Sequence, residues 1–156
     1  MSSAEHSFDL DAVLAEGNPI LVATNGPTIR PLWYQWEDGC FYIITGPWAK
    51  LYARVQKDPK LALLVNIEER DKGRIYQVMA GGNAEIMPYD IPRARRLLYR
   101  YLGSDEANWS TAPDDYTGYL REPGPPGAVW LKIKPTTLKT FNFSYVNSPY
   151  AAGNHS

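Results

Sequence analysis

RPLWYQWEDGCFYIITGPWAK, residues Arg30 to Lys50, crowds large aromatic rings and a lysine around one tight turn. Asp38-Gly39 supplies the positive φ that a short hairpin requires, so Ile29 to Trp36 and Cys40 to Thr45 read as two antiparallel strands joined through Glu37-Asp38-Gly39. Alternation along the first strand puts Ile29, Pro31, Trp33 and Gln35 on one face and Arg30, Leu32, Tyr34 and Trp36 on the other. Neither face is polar. Both must therefore be covered: one can fill a barrel, while the other meets a ligand, a helix or a second subunit. Pro31 removes one ladder donor and marks an irregular place in the strand.

Working outward, Asp9 to Glu16 reads as a short helix with Leu10, Val13 and Leu14 at helical spacing, stopped by Gly17-Asn18-Pro19. Ile20 to Thr24 is a β-branched run that ends in Asn25-Gly26-Pro27, a strand entering a turn. Beyond Thr45, Gly46-Pro47 breaks the strand, and Trp48 to Lys57 is expected as a helix closed by Asp58-Pro59. Leu61 to Asn66 follows as a strand expected to be buried on both faces, then the charged turn Glu68 to Gly73. Arg74 to Met87 is a long strand bent at Gly81-Gly82. Asp90 to Leu102 is an amphipathic helix ended by Gly103, with Arg93, Arg95, Arg96 and Arg100 opposite its apolar side. These arginines read as either a solvated face or a seat for an anionic substrate. The Pro- and Gly-rich segment 104–127 is long for a loop, so it is either a functional flap or a poorly ordered connection. Two strands, Ala128 to Lys134 and Leu138 to Phe143, close a mainly β (α+β) chain with a few flanking helices, which implies a small antiparallel barrel. A single domain over 1–145 is expected, with a flexible start at 1–8 and a disordered tail at 146–156.

The chain has 156 residues, 17.6 kDa and a formal net charge of -1, which suits one domain and gives no basic footprint for nucleic acid. It has no apolar segment of signal-peptide or membrane-span length. Its one cysteine, Cys40, rules out an internal disulfide and points to a reducing, cytoplasmic setting. Its two histidines, His6 and His155, both lie in terminal segments, which disfavours a Ser-His-Asp triad, a Cys-His nucleophile or a histidine-rich zinc site. If the protein is an enzyme, a bound cofactor is expected to carry the hard step.

Lys50, Arg54 and Lys57 share one helix face just after a glycine-containing strand end, the makings of an anion seat. A ring system near Trp33 and Tyr34, with its phosphate reaching Thr45 and Lys50, describes a flavin-like cofactor. Tyr34, Tyr76 or water would then donate protons.

The order strand, Asp-Gly hairpin, strand, Lys-bearing helix, Asp-Pro, apolar strand resembles the pyridoxamine 5'-phosphate oxidase-like split β-barrel superfamily. The matching pieces are RPLWYQWEDGCFYIIT, AKLYARVQKDPKLALLV, YQVMAGGNAEI, the helix ending RYLG and the closing VWLKIKPTTLKTFNF. RYLG followed by a long loop is more similar to the flavin- and deazaflavin-dependent oxidoreductase branch. The resemblance implies a split barrel of six or seven strands. It also implies a homodimer with cofactor clefts between subunits, FMN or coenzyme F420, and hydride transfer involving a small organic substrate. Carried over, Leu32, Trp33 and Tyr34 would run past the ring, Thr45 and Lys50, with Arg54 as a substitute, would meet the phosphate, and Gln77 would contact the cofactor. Two departures stand out: Trp48 occupies a place where small polar residues are common, and Lys50 is one residue out of register. A non-catalytic member that binds or sequesters a flat ligand is the alternative.

Overall fold

A computed structural model of the chain describes residues 8–110 and 115–145. The expected tail at 146–156 and all but the last residue of the expected flexible start lie outside them. Phe8, the residue of that start that is described, is buried and stacks on Tyr76 at 4.5 Å between ring centroids.

Helix α1 spans Leu10–Leu14 and is capped by Asp9, whose carboxylate accepts from the Ala12 N–H at 3.2 Å. Eight strands follow among the described residues: β1 Ile20–Thr24, β2 Thr28–Leu32, β3 Gln35–Glu37, β4 Cys40–Thr45, β5 Lys60–Glu69, β6 Arg74–Pro88, β7 Val129–Ile133 and β8 Thr137–Asn142. Helix α2 is Lys50–Lys57 and helix α3 is Ile91–Leu102. The strands run antiparallel in the order β2-β1-β5-β6-β7-β4-β3, with β8 also paired to β6. No helix among the described residues is long and apolar enough to cross a membrane.

The long strand β6 holds the two halves of the barrel together. Residues 74–83 pair with β5 and residues 84–88 with β7. Gly81 and Gly82 stand where it passes from one partner to the next: a Cβ on Gly81 would fall 2.9 Å from Thr137 Oγ1, and one on Gly82 2.8 Å from the Lys134 carbonyl. Only glycine lets the β7–β8 turn approach this closely.

The hairpin forms as expected, with Glu37 paired to Cys40 and Asp38 and Gly39 at φ 50° and 72°. The strand before it does not run through. Thr28–Leu32 pairs with β1 at one edge of the sheet, Gln35–Glu37 pairs with β4 at the other, and Trp33-Tyr34 carries the chain between them. This break accounts for the eighth strand, and it also undoes the simple alternation, because Tyr34 and the adjacent Gln35 are both buried.

Two apolar layers result. Inside the barrel lie Tyr34, Phe41, Ile43, Val65, Leu131 and Ile133, among others. On the outer side of β4 and β7, Cys40, Tyr42 and Trp130 meet Ala94, Leu97 and Leu98 of α3. The second face of the β3–β4 hairpin is thus covered by a helix of the same chain, not left for a partner. Strand β5 departs from its expectation in the opposite sense. Leu61, Leu63, Val65 and Ile67 are buried, while Ala62, Asn66 and Glu68 are exposed and Leu64 is half-buried, so one face only is closed within the chain.

The described part of segment 104–127 packs as a cover over α3. It forms two 3₁₀ turns, Glu106–Ser110 and Tyr116–Leu120. Trp109 is fully buried and donates to the Gly103 carbonyl at 3.1 Å. The Tyr89 hydroxyl donates to the Tyr119 carbonyl at 2.7 Å, and Tyr89 itself stacks on Trp130.

Candidate functional site

Where β2, the start of α2 and the inward side of β1 converge, a cleft of about 360 Å³ opens, lined by Val22, Thr24, Thr28, Arg30, Leu32, Trp48, Ala49, Lys50, Leu51 and Arg54. Its position follows from register. Leu32, Arg30 and Thr28 oppose Ile20, Val22 and Thr24, so their side chains share the inward face of an edge strand, and α2 lies across them. Val55, the buried residue of α2, fastens the helix to the barrel. That anchor holds Lys50 and Arg54, a turn apart, on the cleft wall.

The electrostatics favour an anion. No carboxylate among the described residues lies within ion-pair distance of Arg30, Lys50 or Arg54. Ala49, the N-cap of helix α2, lines the same cleft and offers no side-chain cap, so the positive end of the helix dipole lies at the cleft wall. The helix begins two residues later than the sequence suggests, because Trp48 instead folds back over Gly46. Lys57, expected on the same basic face, does not line the cleft.

A second, smaller pocket of about 120 Å³ adjoins the first, with Leu32 and Trp48 common to both. Its remaining walls are Trp33, Ile43, Ile44, Leu97, Leu98, Tyr116 and Tyr119. Trp33 is held by stacking on Tyr101 at 4.6 Å and by Tyr116 at 5.4 Å. Sequence reasoning missed the contribution of 116–120, since nothing in that stretch signals where a long connection will pack.

The candidate residues separate accordingly. Leu32, Trp33, Lys50 and Arg54 come together around the two pockets. Thr45 is buried at the end of β4, and its Oγ1 has no hydrogen-bond partner. Gln77 lies on the outer face of the sheet, where it donates to Asn66 at 3.1 Å, on the opposite side from the cleft. Tyr76 packs between Phe8 and the Arg74 guanidinium and lines neither pocket.

Tyr34 is a structural residue. It is fully buried and donates to the Leu14 carbonyl at 3.0 Å, and burial, only partly offset by the Arg100 guanidinium, pushes its phenol well above the ordinary range. It lines neither pocket.

The arginines of α3 are likewise occupied. Arg93 and Arg96 both pair with Glu37, Arg95 with Glu106, and Arg100 donates to the carbonyls of Leu14, Ala15, Glu16 and Tyr34. They bind the molecule to itself, so the reading of this face as an anion seat is corrected.

The sequence matches no family model and no curated protein. The fold is that of solved proteins. It is similar to a pyridoxamine 5'-phosphate oxidase candidate from Listeria innocua, with 15% identity, 85% of this chain and 94% of that chain covered and a TM-score of 0.58. It is similar to an F420 reductase, with 19% identity, coverage of 83% and 94% and a TM-score of 0.57. It is also similar to an FAD-binding protein from Mesorhizobium loti, with 19% identity, coverage of 93% and 96% and a TM-score of 0.59. A heme storage protein from Vibrio cholerae shares the architecture too. The chain thus shares the mainly β split-barrel fold of these solved proteins.

Proposed function

We propose that this split barrel is an oxidoreductase that holds FMN or coenzyme F420 in the cleft between β2 and α2 and serves hydride transfer to or from a small organic substrate. The observation that carries the reading is the unneutralised set Arg30, Lys50 and Arg54 on one cleft wall. Three cations gathered without a carboxylate repel one another, and an anionic group such as a phosphate relieves that repulsion. The names of the F420 reductase and the FAD-binding protein support a redox cofactor of this kind.

A bound FMN or F420 would supply the hydride chemistry that no side chain here can perform. The chain's own residues have defined tasks. Lys50, Arg54 and Arg30 hold the phosphate, assisted by the uncapped N-terminus of α2. Leu32 and Trp33 present an apolar edge to the ring, and Trp48 stands between the cofactor cleft and the smaller pocket, where it shields the reacting centre from water. Among the described residues no Asp, Glu or His lines either pocket, so protons reach the substrate from water or a tyrosine hydroxyl.

The protein acts as a homodimer. The outer face of β1, β2, β5 and β6 carries Ile29, Pro31, Leu21, Leu64 and Met79, and Ile29 and Met79 are 61% and 47% exposed. A second copy laid on this face would cover it and bury Gln77 at the same seam. The lone cysteine is buried in a strand, in keeping with a cytoplasmic protein.

The test is whether folded protein binds FMN or F420 near micromolar concentration, and whether the bound cofactor can be reduced and reoxidised. Redox cycling supports the enzyme. Binding without any turnover would leave a cofactor-sequestering protein, and failure of both cofactors to bind would overturn the reading.

A further inference from the structure

We infer that the smaller pocket binds a single uncharged aromatic ring. As the seat of the substrate's reacting ring this rests on the oxidoreductase reading, but the binding itself does not.

Size decides first. At about 120 Å³ the pocket is slightly smaller than the apolar cavities of about 150 Å³ that take up benzene. A fused three-ring system does not fit, so this is not a second cofactor site. One six-membered ring with a small substituent does.

Chemistry decides next. Among the described residues, no Lys, Arg, Asp or Glu lines the pocket, in contrast to the three cations of its neighbour. A carboxylate placed here would lose its hydration and gain no counterion. The walls offer flat faces instead: Trp33, Tyr116, Tyr119 and Trp48 are all aromatic, and offset or edge-to-face stacking favours an aromatic guest over an aliphatic one. Polar atoms on the lining side chains are limited to phenol hydroxyls and indole N–H groups, which suits one hydroxyl or amine on the guest.

The pocket is built rather than incidental. Its floor, Ile43, Leu97 and Leu98, is buried to within 3% exposure. Its cover is pinned by the Tyr89 hydroxyl on the Tyr119 carbonyl, and its Trp33 wall by the stack on Tyr101. Trp48, 54% exposed, stands at the rim and leaves a way in. Because Leu32 and Trp48 belong to both pockets, a ring held here lies beside whatever fills the larger cleft.

The experiment titrates full-length protein, with no flavin or deazaflavin added, against toluene, phenol and benzoate, followed by saturation-transfer NMR and tryptophan fluorescence. Toluene and phenol should bind saturably at about millimolar concentration or tighter, and benzoate at least about tenfold more weakly. Ile44→Trp fills the pocket and should abolish toluene binding. Because a bulky residue in β4 risks misfolding, Trp48→Ala, at an exposed ring, provides a second comparison and should weaken toluene binding several-fold. No saturable binding, equal affinity for benzoate, or toluene binding that neither variant changes would overturn the inference. Toluene binding by a protein that takes neither FMN nor F420 would uphold the pocket and overturn the oxidoreductase reading instead.

Discussion

The indole of Trp48 lies directly over Gly46: a Cβ at residue 46 would fall 2.3 Å from the ring. Gly46 is not at positive φ, so alanine is tolerated by the backbone, and the clash is with the side chain alone. Gly46→Ala should therefore swing the exposed ring aside at a cost under about 1 kcal/mol. The expected signature is a change in tryptophan emission that disappears in a Trp48→Phe background. An unchanged spectrum would show that the ring is not seated on Gly46.

Arg100 is the residue that ties α1, α3 and the Trp33-Tyr34 crossing together. Its guanidinium serves four main-chain carbonyls and the Gln35 amide oxygen. Arg100→Met removes a donor from all five acceptors, of which, among the described residues, only the Leu14 and Tyr34 carbonyls keep another, from the Tyr34 and Tyr101 hydroxyls, and should destabilise the protein by about 3 kcal/mol or more in urea unfolding. Tyr34→Phe should cost only about 1 kcal/mol, since the Leu14 carbonyl keeps its Arg100 donor at 3.0 Å. Cofactor binding and turnover should survive the latter change. A catalytic loss in stable Tyr34→Phe protein would contradict the structural role.

Glu37 accepts from both Arg93 and Arg96. Burial raises its carboxyl, but hydrogen bonds from Arg96 and Arg93 outweigh that and leave it below the ordinary range. A carboxyl depressed on folding contributes stability that is complete above its unfolded value of about 4.3 and is lost as pH falls through the lower folded value. Acid unfolding of the wild type should thus be steeper below pH ~4 than that of Glu37→Gln. Parallel acid limbs would refute the coupling.

The exposed apolar sheet face predicts its own test. Met79→Glu places a charge in the middle of the proposed dimer seam and should yield monomer by light scattering at micromolar concentration, with the fold intact by circular dichroism. A wild-type monomer under the same conditions would contradict the homodimer.

The Asp38-Gly39 hairpin, the glycine bend in β6 and the Asp90 start of α3 were legible because each rests on a local requirement: a positive φ, a missing Cβ, a capping carboxylate. The break at Trp33-Tyr34 was not. Tyr34 looks like any alternating strand residue, and only Arg100 and Tyr101, distant in sequence, reveal that its main chain is held outside a ladder. The arginine-rich face of α3 misled for a related reason, because the partners that neutralise it, Glu37 and Glu106, come from other segments. Lys50 and Arg54 were found from helical spacing. Arg30 was not, because its place on the same cleft depends on the pairing of β2 with β1.

The central claim is that Arg30, Lys50 and Arg54 hold the phosphate of a redox cofactor. The most direct measurement is a fluorescence titration of FMN and F420 into wild type, Lys50→Ala and Arg54→Ala at low and high salt. At least one cofactor should bind at micromolar concentration, weakened about tenfold by each substitution, with the variants less sensitive to salt than the wild type. Titrations unchanged in both variants, or no binding of either cofactor by folded protein, would contradict it.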